Sequence, residues 1–307
     1  MKYFKRNLFV VLLILSVVLI GCGREGYIPR YDPYRGTQGL EMNFLDNAPP
    51  DVVHELNTFP VGIRLKNRGA YPITRGIINI NVERDYVSDY ILGDTSIMLN
   101  GRTIYDQQGE EQIKLFEYRT LNMDAMSQIR DSVISITACY EYQTQLKTEA
   151  CIDPDVFNLL QERNKPCTVR PQSFSGQGAP VGIVNIEPSI SRSSQNQDLI
   201  IPHFEITVQN LNRGHVINRG TVMQYCTNQQ MQREDFGIVH LHAELASRNL
   251  KCNPEIIRLD ERGSGKTRCV LEEGILGTTT AYASLLDINL FYGYTEAISK
   301  KFKIQRQ

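Results

Sequence analysis

Phe59-Pro-Val-Gly-Ile-Arg-Leu-Lys-Asn67-Arg68-Gly69, followed by Ile73-Thr-Arg75-Gly76, is one of two copies of a single pattern. The second copy reads Phe204-Glu-Ile-Thr-Val-Gln-Asn210-Leu-Asn212-Arg213-Gly214, followed by Ile217-Asn-Arg219-Gly220. In the first, Val61, Ile63 and Leu65 alternate with Gly62, Arg64 and Lys66; in the second, Phe204, Ile206 and Val208 alternate with Glu205, Thr207 and Gln209. Successive side chains of a strand point to opposite faces, so each copy predicts a strand with one buried face. Gly69 and Gly214 then offer a residue free to take positive φ where an Asn-Arg-Gly turn reverses the chain. The copies lie about 144 residues apart, close to one domain length, which predicts tandem related domains and not a short-period solenoid.

Working outward, further strands are expected at 76–83, 97–99, 103–105, 112–119 and 132–142. In the second half they are expected at 220–225, 238–244, 254–259, 267–271, 281–292 and 297–304. Two short helices are expected, at 122–129 and at 153–165. The latter has Asp153-Pro154 at its start and Pro166 at its stop. Many short strands with turn signals, few helices and 15 tyrosines place the chain among all-β folds.

The N-terminus sets the compartment. Lys2, Lys5 and Arg6 precede an apolar run from Leu8 to Ile20, too short for a comfortable span of about 20 residues. Leu19-Ile20-Gly21-Cys22 resembles a lipobox, which implies cleavage before Cys22 and lipid on that cysteine. The expectation is an extracytoplasmic protein held to the membrane through Cys22, with a flexible tether over 22–38. Stable attachment takes two or more chains, because one acyl chain holds a protein only marginally.

The other six cysteines, Cys139, Cys151, Cys167, Cys226, Cys252 and Cys269, form an even set in an exported chain, which favours disulfides over metal ligation. No Cys-x-x-Cys occurs. Six cysteines allow 15 pairings. If 135–142 and 147–152 form a hairpin about Gln145, Cys139 meets Cys151 on its outer face. A second hairpin brings Cys252 to Cys269, leaving Cys167 for Cys226.

Charge and motifs exclude more than they propose. With 33 basic and 34 acidic residues and no charge block, nothing favours nucleic acid. Gly263-Ser-Gly265-Lys266-Thr267 has the end of a phosphate loop, but Asp260 stands where the first glycine belongs. His240 and His242 share a strand face without a third ligand, so no metal site is assigned. Asp153 and Asp155 lack the calcium-loop pattern, and adjacent pairs such as Glu110-Glu111 and Glu272-Glu273 would diverge on a strand. No cofactor and no catalytic residue are expected; an exported hydrolase or metal-dependent enzyme is the alternative.

The pattern Ile63-x-Leu65-x-Asn67-x-Gly69, repeated as Ile206-x-Val208-x-Asn210 with Gly214, resembles the strand-and-turn core of cell-adhesion-related immunoglobulin-like domains. With the lipobox, and with Ser175-Gly-Gln-Gly-Ala-Pro180-Val opening the second copy, the chain resembles archaeal surface lipoproteins built from tandem domains of this kind. The resemblance spans roughly 39–307. It implies two antiparallel immunoglobulin-like β-sandwiches, at 39–153 and 167–307, after a signal peptide at 1–21 and joined by a linker helix at 154–166. It also implies a surface role in adhesion, scaffolding or recognition, with a protein or cell-surface polysaccharide as partner.

Overall fold

The computed structural model describes residues 31–89, 93–157, 165–277 and 280–306. Cys22, the apolar run before it and most of the expected linker helix lie outside them. The first half runs β1 (Leu40–Phe44), β2 (Val52–His54), β3 (Thr58–Asn67), β4 (Ile73–Asn81), β5 (Ser96–Leu99), β6 (Glu111–Arg119) and β7 (Ile129–Ile152). The second runs β8 (Gln172–Ser173), β9 (Val181–Arg192), β10 (Leu199–Asn210), β11 (His215–Ile217), helix α1 (Val222–Cys226), β12 (Ile238–Leu245), β13 (Arg248–Asn249), β14 (Lys251–Asn253), β15 (Ile256–Arg258), β16 (Ser264–Val270), β17 (Ile275–Leu276) and β18 (Tyr282–Gln305). The fold is all-β and largely antiparallel, with little helix.

The repeat strands form as their alternation requires. β3 buries Val61, Ile63 and Leu65 and exposes Arg64; β10 buries Phe204, Ile206 and Val208. β3 is central in the sheet β1-β3-β6, and β10 lies between β9 and β16 in the sheet β14-β16-β10-β9-β8.

The halves meet in a third sheet of nine strands. Its centre is the antiparallel pair β7–β18, in register from Tyr282 opposite Ile152 to Gln305 opposite Ile129. Ile134, Ile136, Tyr140, Tyr142, Leu290, Tyr292 and Tyr294 on one face of that pair join the β3 and β10 residues in a single buried cluster. Asp32–Gln307 is one compact unit, so the expected boundary near 153 does not divide two compact bodies.

β7 overturns the expected hairpin about Gln145. The stretch 141–150 contains no Gly, Pro, Asn or Asp to turn on, and it continues as one strand of 24 residues. Cys139 and Cys151 therefore lie 12 residues apart along one extended chain, roughly 40 Å, and cannot bond. Cys139 instead pairs with Cys226 of α1, Cys151 with Cys167, and Cys252 with Cys269. Cys139 is not on an open outer face: α1 covers it, in a second small cluster with Ile217, Val222 and Cys226.

The helix α1 replaces the strand expected at 220–225. Val222 and Cys226, four apart, bury one helical face against the sheet, and Gly293 makes room for them: a Cβ there would overlap Val222. The strands expected at 281–292 and 297–304 are one strand, β18. No helix forms at 122–129, because its backbone is satisfied otherwise. The Met123 amide donates to the Glu55 carboxylate, and Arg306 donates to the carbonyls of Met123, Asp124 and Ala125. The segment 103–105 is a turn, with the Tyr105 and Asp106 amides donating to Thr103 Oγ1. The tether is shorter than expected: Arg102 donates to the Pro33 and Arg35 carbonyls at 3.0 and 2.6 Å, which fixes the segment from Asp32 onward.

Candidate functional site

The Asn-Arg-Gly turns meet the central sheet through four buried tyrosines, Tyr140 and Tyr142 on β7 and Tyr292 and Tyr294 on β18. The Tyr142 hydroxyl donates to Asn67 Oδ1 at 3.2 Å, and the Tyr294 hydroxyl to Asn210 Oδ1 at 3.1 Å. The Leu40 amide donates to the Tyr140 hydroxyl, and the Val181 amide to the Tyr292 hydroxyl. Each half thus repeats the same bonds, and Tyr142 faces Tyr292 as Tyr140 faces Tyr294. That cross-pairing is what an approximate two-fold relation between the halves requires. Burial raises all four phenols, so they stay protonated and act as hydrogen-bonding struts. Gly69 and Gly214 serve this packing and do not take positive φ. A Cβ would strike the Tyr142 hydroxyl at Gly69, and the Tyr294 ring and Thr295 carbonyl at Gly214. The doublets Tyr140-Glu-Tyr142 and Tyr292-Gly-Tyr294 were the available sequence signal for this arrangement, and the strand-and-turn reading missed them.

The two-fold relation breaks at the ends. In the first half, the 67–71 turn is covered by the chain itself. The Ala70 amide donates to the Gly178 carbonyl, the Gly178 amide donates to the Gly36 carbonyl, and the Tyr34 ring lies 5.8 Å from that of Tyr71. In the second half, the equivalent Asn210–Val216 stretch borders an open groove of about 590 Å³. Arg233, Arg258 and Arg262, with Phe236 and His215, line it, and Asp260 and Glu261 are its acidic members. Arg258 is held by the carbonyls of Arg233 and Glu234. Among the described residues, Arg233 and Arg262 have no carboxylate within salt-bridge reach. The Asp260 Oδ1 accepts the Arg262 and Ser264 amides at 2.9 Å each, which builds the turn. This groove is the candidate binding site.

Those bonds also close the phosphate-loop reading of 263–267. The loop amides go to Asp260, Lys266 pairs with Glu205 at 2.5 Å, and Thr267 donates to the Pro254 carbonyl. His242 contacts Glu244 at 3.1 Å, and among the described residues no cluster of three or more metal-type ligands forms. Between Asp153 and Asp155 the Lys165 ammonium sits at 2.8 and 3.3 Å, in the place a cation would take. Ser191 lies 2.8 Å from His203 Nε2, a contact absent from the sequence reading. Arg268 donates to Nδ1 at 3.3 Å, and burial and Arg268 both lower the pKa of His203. The proton of the neutral ring is therefore on Nε2 and is donated to Ser191. A general base must instead accept the serine proton, so this pair does not activate a nucleophile.

No protein-family model matches the chain, and no curated protein matches it. Among solved structures, the secreted serine protease VesC from Vibrio cholerae aligns over 85% of this chain and 51% of its own, at 9% identity and a TM-score of 0.23. The chain thus spans about half of that protease's length. An overlap this low carries no argument about fold or chemistry.

Proposed function

We propose that this chain is an exported binding protein, tethered to the membrane by lipid on Cys22 after removal of residues 1–21. It displays two immunoglobulin-like sandwiches fused edge to edge through β7 and β18. It acts by holding a protein or cell-surface polysaccharide partner and not by catalysis, with the groove of the second half as the contact region. The observation that carries the reading is that all six body cysteines are joined in three disulfides. Such bonds persist in oxidising compartments and are rare where thiols are kept reduced. The basic, apolar, Gly21-Cys22 leader supplies the route out, and the resemblance to tandem-domain surface lipoproteins supplies the adhesive or scaffolding role.

The test is detergent-phase partition of the protein expressed in a lipoprotein-processing host. The wild type is expected in the detergent phase and Cys22→Ser in the aqueous phase, both with the same disulfides. Equal partition of the two would refute the lipid anchor.

A further inference from the structure

The halves differ where the first is filled and the second is open, and that difference points to a ligand class. In the first half, the covering material is the chain's own polypeptide. Arg102, on the turn between β5 and β6, donates to the carbonyls of Pro33 and Arg35. Tyr34 rests against the Tyr71 ring, and Gly178 bonds the turn amide of Ala70. The turn between β15 and β16 holds the corresponding place in the second half. Its Arg262 faces the groove, as Arg102 faces the 32–36 segment.

The halves share the inner part of this arrangement. The Arg68 amide donates to the Gly39 carbonyl in one, and the Leu211 amide to the Pro180 carbonyl in the other. Only the outer cover is missing from the second: the Arg213 amide turns back to its neighbour, Asn212 Oδ1. The groove offers Phe236 as an apolar surface and is lined by three arginines. One of them, Arg258, is already held by the carbonyls of Arg233 and Glu234. Arginine's planar fork suits carboxylates, and neither Arg233 nor Arg262 has one within salt-bridge reach among the described residues. Glu261 is the opposing charge, and Asp260 is spent on its own turn.

We infer that this groove binds an acidic peptide segment of a partner protein, supplied in trans where the first half uses its own residues 32–36. The inference rests on the display reading above and names the partner class for the same site. Side-chain carboxylates pair with Arg233 and Arg262, a backbone carbonyl meets Arg262 as the Pro33 and Arg35 carbonyls meet Arg102, and an apolar side chain covers Phe236.

The test pans a random dodecamer peptide library on the full processed chain at 0.15 M salt. Enriched peptides are then titrated by fluorescence anisotropy. Enrichment of Asp- or Glu-bearing peptides is expected, with affinity falling at least tenfold in Arg233→Glu/Arg262→Glu and falling less in Arg262→Gln. The His242→Ala variant, altered outside the groove, retains full affinity. Melting temperatures of the variants check folding, and both arginines are exposed. Failure to enrich peptides, binding indifferent to the arginine changes, or arginine-dependent binding of a sulfated heparin oligosaccharide without peptide binding would each overturn it. Detergent partition of Cys22→Ser is independent of this measurement, so failure of the anchor and failure of the groove are told apart.

Discussion

Glu141 and Gly293 face each other across the β7–β18 ladder, at the point where Tyr142 opposite Tyr292 and Tyr140 opposite Tyr294 mirror one another. The two repeat arginines close on this one carboxylate. Arg75 reaches Glu141 Oε1 at 3.2 Å, and Arg219 reaches Oε2 at 2.6 Å. A second glutamate at 293 would put like charges directly opposite, which destabilises a strand pair. Glycine avoids that and admits Val222 of α1 as well.

Glu141→Gln is expected to lower unfolding free energy by about 1 kcal/mol in low salt, because Arg75 and Arg219 are both substantially exposed. The difference shrinks in 1 M salt, where the Debye length is about 3 Å. Urea titrations at the two salt concentrations measure it; an equal loss at both would mean that packing, not charge, is what the substitution removes.

Gly293→Ala places a methyl group against Val222 and is expected to cost about 1–3 kcal/mol, the usual price of overpacking. The double variant Gly293→Ala/Val222→Ala restores part of that loss. If the double variant is no better than the sum of the single ones, the two residues are not in steric contact.

Asn67 and Asn210 hold equivalent bonds in unequal surroundings. Asn67 is fully buried and serves the Tyr71 and Leu99 carbonyls, the Gly69 amide and the Tyr142 hydroxyl. Asn210 is only half-buried and serves the Gly214 carbonyl, the Asn212 amide and the Tyr294 hydroxyl. Replacement by alanine is expected to cost about 3 kcal/mol at 67 and about 1–2 kcal/mol at 210, since stranded partners matter most where water cannot replace the bond. Thermal melts rank the two, and a larger loss at 210 would contradict this assignment.

The strands of the repeat, the turn asparagines and the even cysteine count were legible because each rests on local pattern. The long strands were not. A strand of 24 residues lies far beyond the usual five or six, and Gln145 looked like a midpoint only because a hairpin was assumed. The pairing of Cys139 with Cys226 spans 87 residues and depends on α1 lying over the sheet, which the strand-like reading of 220–225 concealed. The groove was invisible for a related reason: Arg233 lies between α1 and β12, Arg258 ends β15 and Arg262 is on the turn that follows, and they converge only once β11, β12, β15 and β16 are in place.

Glu296 gives the folded protein a pH signature. Burial pushes its carboxyl up to about 7 from an ordinary 4.5, against the lowering effect of the Tyr140 hydroxyl that donates to it at 3.3 Å. The folded state therefore keeps a proton that the unfolded state loses. This contribution is greatest below about pH 4.5, declines as pH rises to about 7 and is constant above, a span of at most about 3 kcal/mol. Glu41, in the same recess and held below its ordinary value by Arg68, acts with the opposite sign at lower pH. Subtracting the Glu296→Gln stability profile from that of the wild type isolates the effect. A flat difference between pH 4.5 and 7 would contradict it.

The most direct measurement is the intact mass of the protein extracted from its native membrane, with non-reducing peptide mapping of the same sample. The expected result is residues 22–307 plus lipid, no alkylatable thiol before reduction, and a cross-linked peptide joining Cys139 to Cys226. A full-length or unlipidated mass with free thiols, or Cys139 joined elsewhere, would contradict an exported, tethered protein whose two halves are locked into one unit.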